Sequence, residues 1–347
     1  MNIGFDLYCD EAPLLFEASK RFDKDTQIFG VTLGQRYSEI FTKENKLSNI
    51  SSFLEDNWNT IDVSSKFINS IENKYGIENI SFFILSDRYL DKFDYKISLK
   101  ILIGHFLFFE DFFTTNAIKF FIDTPVAILP QLVCYYVAKR CNVKYLAIRV
   151  TRDKDPSFTF IDDWQDNWYR TREFYKKDQV TEQNLEYAQQ EIQNFVEKYH
   201  QPSYMSSPKQ FNKIRLVFVQ EFISRFKQYF FKRQYLDRFD YITQNPFFYV
   251  KRDLTKIVRS KIFDLFHSRI FNRVNETESY YLFPLHLQPE ASTLMMAPYY
   301  VNQVATIENI AKSLPGNAYL YVKEHTSSYG KHSLDFYKQI KKISRRE

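Results

Sequence analysis

Glycine is scarce in this sequence, with seven residues among 347. Neither GxGxxG nor GxxxxGK followed by Ser or Thr occurs, so the two commonest glycine-rich phosphate loops are absent. The same scarcity argues against flexible glycine-rich linkers. The sequence therefore does not indicate a P-loop protein or a dinucleotide-fingerprint protein.

Cysteine is also rare. Cys9, Cys134 and Cys141 are an odd number without the spacing of a disulfide framework, which suits a reducing compartment. No CxxC or HExxH motif occurs, so we predict neither a metal site nor a cofactor. Asp162 and Asp163 do not form a recognisable metal-binding DxD motif, and we interpret them as surface turn residues.

Long hydrophobic runs are missing as well. No apolar stretch approaches the ~20 residues that a bilayer-spanning helix requires. The first residues carry acids early and lack the basic and apolar regions of a signal peptide. With 44% hydrophobic and 26% charged residues the chain is typical of a globular protein, and its length allows two domains. We expect it to be cytoplasmic.

Positive charge is concentrated in one segment. Residues 211–273 contain six Lys and eight Arg against four Asp and one Glu, a local balance of +9 in a chain of net charge +5. Phe222, Phe226, Tyr229 and Phe230 share helical spacing, which favours a core-facing aromatic stripe with a solvated basic face. A peripheral contact with a membrane surface is the second interpretation. Nucleic acid is the least favoured partner, and we predict none.

The first 150 residues alternate strand-like and helix-like segments. Thr26–Gly34, Ile80–Asp87 and Lys144–Val150 are short β-rich runs. A helical pattern with Phe67 and Ile71 lies between the first two runs, and a second helix is predicted to end near Arg140. This order predicts βαβ units and an open, mostly parallel α/β sheet.

A second α/β unit follows a predicted helix over Glu182–Tyr199. Its strands are predicted at Tyr280–Leu285 and Ala318–Lys323, and its helices at Tyr300–Leu314 and Leu334–Ile343. Two strands and two helices are fewer than an independent α/β domain needs. We therefore expect either that they complete the first sheet or that the chain stops inside a domain.

Each of the two late strands ends in a group of polar side chains. These are His286, Gln288 and Glu290 after the first strand, and Lys323, Glu324 and His325 after the second. If the strands are neighbours, the two groups converge on one crevice at the carboxyl edge of the sheet. Lys and His suit an anionic phosphate, Gln288 can donate and accept, and Glu290 could bind sugar hydroxyls or act as a base. The alternative is that Glu290 and Ser292 cap a helix while Lys323 and His325 are solvated.

The segments "FPLHLQPEAST", "VNQVATIENIAKSLP" and "YLYVKEHTSSYG" together resemble the C-terminal nucleotide-sugar domain of the capsule polysaccharide biosynthesis family. That family comprises bacterial surface-glycan proteins and includes Kdo transferases of the GT-B type. The likeness covers about Tyr280 to Gly330, and a weaker one extends to "YYVAKRCNVKYLAIRVTRD". Two departures are visible, because the family has His-Pro where this chain has His325-Thr326, and it usually continues with further strands that complete the nucleotide pocket.

The resemblance implies a GT-B-like protein of two Rossmann-like α/β domains, the second incomplete, joined by aromatic-basic helices. The implied division is 1–175 for the acceptor side, 176–274 for the helical connection and 275–347 for the start of the nucleotide-sugar domain. Lys323 and His325 would contact the donor phosphate, and Gln288 and Glu290 would line the cleft together with His286. Glu290 is the candidate catalytic residue.

Other polar residues follow strand-like runs in the first half of the chain. They are Asp6, Asp10 and Glu11, Asp87 and Arg88, and Arg149 and Arg152. A sugar transfer usually needs a carboxylate base, and each position is topologically eligible. Each is more often only a turn or capping residue, so none is favoured as the base.

The sequence thus predicts a glycosyltransferase of bacterial capsule or surface polysaccharide synthesis. Its partners would be a nucleotide-sugar donor and a glycan or lipid-linked acceptor. Two alternatives stay open: a non-catalytic remnant that acts as a binding protein, and another nucleotide-sugar enzyme such as an epimerase.

Overall fold

The chain divides into two compact units in the computed structural model. Residues 1–7, 17–34, 46–150, 158–165, 168–177, 180–197, 223, 226–227, 239–242, 246–275 and 277–343 are described. The first unit comprises residues 1–180, 232–243 and 294–296, and the second comprises 181–231, 244–293 and 297–347. The predicted three-part division at 175 and 274 stays a prediction.

The first unit is an α/β sheet covered by helices. Its strands are β1 (Asn2–Asp6), β2 (Gln27–Thr32), β3 (Lys46–Asn49), β4 (Phe120–Asp123), β5 (Lys144–Val150) and β6 (Phe158–Ile161). Its helices are α1 (Ile50–Asn57), α2 (Ser65–Tyr75), α3 (Ser81–Leu85), α4 (Tyr95–Thr115), α5 (Leu129–Arg140) and α6 (Tyr169–Lys176), with a 3-10 turn at Leu90–Lys92.

The six strands form one mixed sheet in the order β3-β2-β1-β4-β5-β6. All neighbours pair parallel except β5 and β6, which are antiparallel. The predicted open, mostly parallel sheet is therefore confirmed, and the arrangement is consistent with a Rossmann-like α/β fold. The strand order reverses between β1 and β4, where Phe5 pairs with Ile122.

Capping residues explain where several of these helices begin and end. The Ser64 hydroxyl accepts a hydrogen bond from the Phe67 amide at the start of α2, and Gly76 ends this helix in the left-handed region at φ 66°. The Asp94 carboxylate accepts from the Ile97 amide at the start of α4. The predicted helix around Phe67 and Ile71 is confirmed.

Helix α4 carries the core of the first unit. Phe106, Phe109 and Phe112 are fully or almost fully buried. The rings of Phe109 and Phe112 meet Phe121 of β4 edge-on, with centroids 6.1 and 6.3 Å apart. The ring of Phe106 packs against Phe83 of α3 at 5.7 Å. Aromatic contacts of this kind explain how a chain with so few glycines and so many Phe residues fills the space between helices and sheet.

The prediction of a strand over Ile80–Asp87 is wrong. The segment forms helix α3, in which Phe83 and Ile84 are buried while Leu85 is exposed. An apolar run as short as Phe82–Leu85 fits a buried strand and a single helical turn equally well, so periodicity could not separate them. The strand that lies between β3 and β5 in the chain is β4, which was not predicted from the sequence.

The second unit contains a separate two-stranded sheet. Its strands are β7 (Tyr280–Pro284) and β8 (Tyr319–Lys323), and its helices are α7 (Glu182–Glu197), α8 (Pro246–Leu265), α9 (His267–Ile270), α10 (Ala291–Leu294), α11 (Gln303–Ser313) and α12 (Leu334–Ile343), with 3-10 turns at Pro298–Tyr300 and Thr326–Ser328. The expectation that the late strands complete the first sheet is wrong, because β7 and β8 pair only with each other among the described strands.

The predicted helix over Glu182–Tyr199 is present as α7, and Tyr199 lies outside the described residues. Leu185, Ile192 and Phe195 on its apolar stripe are each more than half exposed. Across the part of the chain that the structure describes, no helix combines the length and the apolar content needed to cross a bilayer.

Close packing at Gly104 yields a first prediction. A Cβ atom there would lie 2.2 Å from Leu54 Cδ2 and 3.1 Å from Ile61 Cδ1. Gly104→Ala should therefore destabilise the protein by about 1–3 kcal/mol, measured by chemical denaturation, although Ala is the better helix former.

Leu54→Ala provides the matched test of the same contact. Alone it should cost about 2–5 kcal/mol, but combined with Gly104→Ala the loss should be clearly smaller than the two separate losses added together. Additive losses, or a Gly104→Ala variant more stable than the wild type, would contradict the close approach of α1 and α4.

Candidate functional site

The two polar motifs of the second unit meet at one edge of its sheet. Strands β7 and β8 are parallel, with Tyr280 opposite Tyr319 and Pro284 opposite Lys323. The Leu285 amide continues the ladder by donating to the Lys323 carbonyl at 2.8 Å. The segments that follow both strands therefore leave the sheet side by side, at the edge where open α/β sheets bind ligands.

Gln303 fixes the backbone of the first motif. Its Oε1 accepts from the His286 amide at 2.6 Å, and its Nε2 donates to the His286 carbonyl at 3.0 Å. Gln303 is buried at the start of α11, whereas the His286 side chain is exposed. These two hydrogen bonds, which we call the Gln303 clamp, hold the His286 backbone so that its exposed imidazole stands at the end of β7. Gln303 is a positioning residue that the sequence analysis missed.

Gln288 and Glu290 have different roles in the first motif. Gln288 Nε2 donates to the Val301 carbonyl at 2.6 Å, which leaves its Oε1 as the group that can face a ligand. Glu290 Oε2 accepts from the Ser292 hydroxyl at 3.0 Å, and the Glu290 carbonyl accepts from the amide of Thr293. Glu290 therefore both shapes the turn into α10 and offers a half-buried carboxylate.

The second motif presents a cation and an imidazole. Lys323 is exposed, and no ion pair joins it to any described residue. Nδ1 of half-buried His325 accepts from the Ser327 amide at 3.2 Å, which caps the following 3-10 turn. An imidazole whose Nδ1 accepts carries its proton on Nε2 when neutral, so His325 can donate from Nε2 to an anion.

Glu324 points into the fold of the second unit. One carboxylate oxygen accepts from the His325 amide at 2.7 Å, and the other makes a short hydrogen bond with the Tyr337 hydroxyl of α12. Burial is the main cause that raises the pKa of this carboxyl. Glu324 therefore anchors the strand end to α12, and the structure brings five predicted residues to the edge: His286, Gln288, Glu290, Lys323 and His325.

A second group of polar residues lies at the carboxyl ends of β1 and β4 in the first unit. Asp6 and Asp123 end these two strands, and both are completely buried. Tyr145 donates its hydroxyl to Asp123 Oδ2 at 3.1 Å, and Gln131 Nε2 donates to Asp123 Oδ1 at 3.3 Å. Thr124 donates its hydroxyl to Asp6 at 3.4 Å. The sequence analysis named Asp6 but missed Asp123, because β4 was not recognised.

Burial, followed by the charge of Asp6, holds the pKa of Asp123 well above its usual range. Two neighbouring carboxyl groups in such surroundings hold a shared proton to a higher pH than either carboxyl would hold it alone. A carboxyl kept protonated beside a carboxylate is the chemistry of a general acid–base pair, but the complete burial of both groups equally suits a structural proton-sharing pair.

The other predicted residues of the first half have structural roles or lie outside the described residues. The expectation that Asp87 and Arg88 follow a strand is wrong. Asp87 accepts from the amides of Tyr89 and Leu129, so it caps α5 and a turn, and Arg88 donates to the Ala127 carbonyl. Arg149 lies within β5. Asp10, Glu11 and Arg152 fall outside the described residues.

Comparison of the chain with protein-family models, curated proteins and solved structures finds no match. Within the described ranges, no group of three or more His, Cys, Asp or Glu side chains is placed to hold a metal ion. The likeness to the capsule polysaccharide family therefore rests on the motif residues, and any assignment of function depends on what the two strand ends can do.

The Gln303 clamp yields a second prediction. Gln303→Ala leaves the His286 amide and carbonyl without their partner and should cost about 1–3 kcal/mol in the free energy of unfolding. Gln303→Glu keeps the acceptor but sets a buried carboxylate oxygen against the His286 carbonyl, so at neutral pH its loss should be at least as large as that of Gln303→Ala. Equal stability of all three proteins in chemical denaturation would contradict the clamp.

The buried carboxyl pair yields a third prediction. Because the pKa of Asp123 is raised in the folded state, its ionisation destabilises the fold as the pH rises from its unfolded value, about 3.9, through its folded value. Asp123→Asn should therefore raise the melting temperature by a few degrees at about pH 8, and by much less at about pH 4.

Asp56→Asn is the control for this prediction, because Asp56 is an exposed carboxylate of α1 in the same unit. It should change the melting temperature little at either pH. If Asp123→Asn shifted the melting temperature equally at both pH values, the Asp6–Asp123 carboxyl pair would not be a source of pH-dependent instability.

Proposed function

We propose that this protein is a GT-B-like glycosyltransferase of bacterial surface polysaccharide synthesis. It transfers a sugar from a nucleotide-sugar donor to a glycan or lipid-linked acceptor. The observation that carries this proposal is the parallel register of β7 and β8, which sets the His286–Glu290 segment beside Lys323 and His325. A donor at this edge would meet a cation, an imidazole N–H and a carboxylate from two adjacent strands.

The groups at this edge suit the charges that a sugar transfer creates. The transfer breaks the bond between the anomeric carbon and the donor phosphate oxygen and forms a bond from that carbon to an acceptor oxygen. Negative charge develops on the leaving phosphate, where Lys323 and the Nε2–H of His325 stabilise it. Glu290 binds the sugar hydroxyls or accepts the proton that the acceptor oxygen loses.

Helix α8 supports a lipid-linked acceptor as part of the same proposal. Phe247, Leu254 and Val258 are each about half exposed, and Lys251 and Lys261 are exposed on the same helix. Exposed aromatic and aliphatic side chains beside lysines are typical of helices that lie on an anionic membrane surface. We therefore include peripheral contact with the inner membrane from a cytoplasmic location.

The fourth prediction tests the donor site. His325→Ala and Glu290→Gln should each lower turnover by about a hundredfold or more, measured with a panel of uridine-, cytidine-, guanosine- and thymidine-nucleotide sugars and a polysaccharide extract as acceptor. His325→Ala should also weaken donor binding, because it removes the imidazole donor to the phosphate. Both melting temperatures should stay within a few degrees of the wild type.

Two matched controls make the same chemical changes in the second unit, away from the strand ends. His267→Ala alters an exposed imidazole of α9, and Glu308→Gln alters an exposed carboxylate of α11, so both should retain wild-type turnover. Wild-type turnover of both His325→Ala and Glu290→Gln would refute the assignment. Donor binding without turnover would favour a binding protein, and sugar conversion without an acceptor would favour an epimerase.

A further inference from the structure

Helix α8 carries a line of cations. Arg252, Lys256 and Arg259 stand at spacings of four and three residues, so they follow one another along one face of the helix. Arg252 Nε donates to the neighbouring Asp253 carboxylate at 2.7 Å. The line thus holds three positive charges with one acid beside it.

The loop that follows β8 packs onto this face of α8. Arg259 donates to the Lys331 carbonyl at 2.6 Å, and the Tyr329 hydroxyl donates to Asp264 Oδ1 at 2.8 Å. The Tyr329 ring also meets Phe263 edge-on, with centroids 5.7 Å apart. These three contacts hold the loop against α8. The charge of Arg252 acts on the Lys331 amine, so Lys331 adds a fourth cation beside the line.

Gly330 permits this close approach. It has a φ of 80°, and a Cβ atom there would lie 2.2 Å from Ser260 Oγ and 2.6 Å from the Lys256 carbonyl. A residue with a side chain would therefore push the loop away from α8 and strain its own backbone. Gly330 therefore allows the backbone of the next residue, Lys331, to lie against the cationic face of α8.

Arg252, Lys256 and Lys331 repel one another. Partial burial comes first among the causes that lower the pKa values of Lys256 and Lys331. The charges of Lys331 and Arg252 lower the pKa of Lys256 further, and the charge of Arg252 lowers that of Lys331. Asp253 and Glu290 act on Lys331 in the opposite direction. With Asp253, Glu290 and Asp264, which accepts from Tyr329 of the same loop, the four cations leave a net charge of about +1, which attracts an anion.

This cluster adjoins the donor-facing edge. The carboxylate of Glu290, at the end of the first motif, is one of the charges that act on Lys331. In the same loop, Ser328 is almost completely buried, and its hydroxyl has no hydrogen-bond partner among the described residues. A buried hydroxyl without a partner is costly unless something supplies one.

We propose that Arg252, Lys256, Arg259 and Lys331 form a phosphate-binding subsite for a phosphate ester or diphosphate dianion. The dianion lies at the solvent-exposed margin of the contact between α8 and the loop after β8, where Arg252 and Lys331 are exposed, and it relieves the mutual repulsion of the cations. Its source is either the nucleotide diphosphate or the phosphate of a lipid headgroup. The inference goes beyond the proposed function, because phosphate binding to these residues would persist if no sugar were transferred.

The fifth prediction tests the subsite with inorganic pyrophosphate and the full chain. In calorimetric titrations at low ionic strength, pyrophosphate should bind the wild type, and the Lys256→Gln/Lys331→Gln double variant should bind it at least about tenfold more weakly. Lys331→Arg keeps the charge and should stay within about threefold of the wild type. Lys338→Gln removes an exposed lysine of α12 and should have no effect.

Lysine side-chain NMR locates the bound anion. The Lys331 resonance, assigned by its loss in Lys331→Gln, should titrate at a higher pH with pyrophosphate than without it, because the dianion favours the charged amine. The Lys338 resonance should not move. The subsite would be wrong if pyrophosphate left the Lys331 resonance in place, or if the double variant bound pyrophosphate as well as the wild type does.

Two further titrations distinguish the sources of the phosphate. Uridine diphosphate tests the nucleotide, and phosphatidylcholine vesicles with and without phosphatidic acid test the headgroup. If uridine diphosphate or the phosphatidic acid vesicles bind to the wild type and to Lys338→Gln but not to the double variant, the subsite is supported. The ligand that behaves in this way is the source of the phosphate. His325→Ala separates the two proposals, because it should remove sugar transfer while leaving the Lys331 titration with pyrophosphate unchanged.

Discussion

Parallel pairing of neighbouring strands is the constraint on which the candidate sites depend. In a parallel pair both chains run the same way, so the residues that follow the two strands leave the sheet at one edge. The register of β7 and β8 brings together motifs that are more than thirty residues apart in sequence. The pairing of β1 with β4 places Asp6 beside Asp123 in the same way, although 117 positions separate them.

The two strand ends differ in what surrounds them, and this difference separates their chemistry. Asp6 and Asp123 are completely buried, so burial and mutual repulsion control their protonation. His286 and Lys323 are exposed, and their backbones are held by the sheet and by Gln303. A group that must meet a charged ligand needs a fixed backbone and an accessible side chain, and the second unit combines both.

The local hydrophobic pattern was sufficient to predict those helices and strands that are long enough for the pattern to repeat. The helix with Phe67 and Ile71, the strand Lys144–Val150 and the helix Leu334–Ile343 were all predicted where the structure has them. Prediction from short apolar runs failed, because the pattern of Ile80–Asp87 fits a strand and a helical turn equally well. Among the site residues, strand-end position identified His286 and Lys323. It could not identify Gln303 or Lys331, whose roles depend on contacts with His286 and Arg259 far along the chain.

The placement of positive charge connects these observations. Residues 211–273 are strongly basic, and the sequence alone left a solvated face and a membrane contact as competing explanations. The structure gives α8 two groups of cations with different surroundings. Lys251 and Lys261 are exposed on the helix that displays Phe247 and Val258, whereas Arg259 is bound to the Lys331 carbonyl. Cations that lie close together raise the free energy of the fold unless an anion offsets them. The phosphate ligand that we propose would offset the charge of this second group, whereas the first group is solvated.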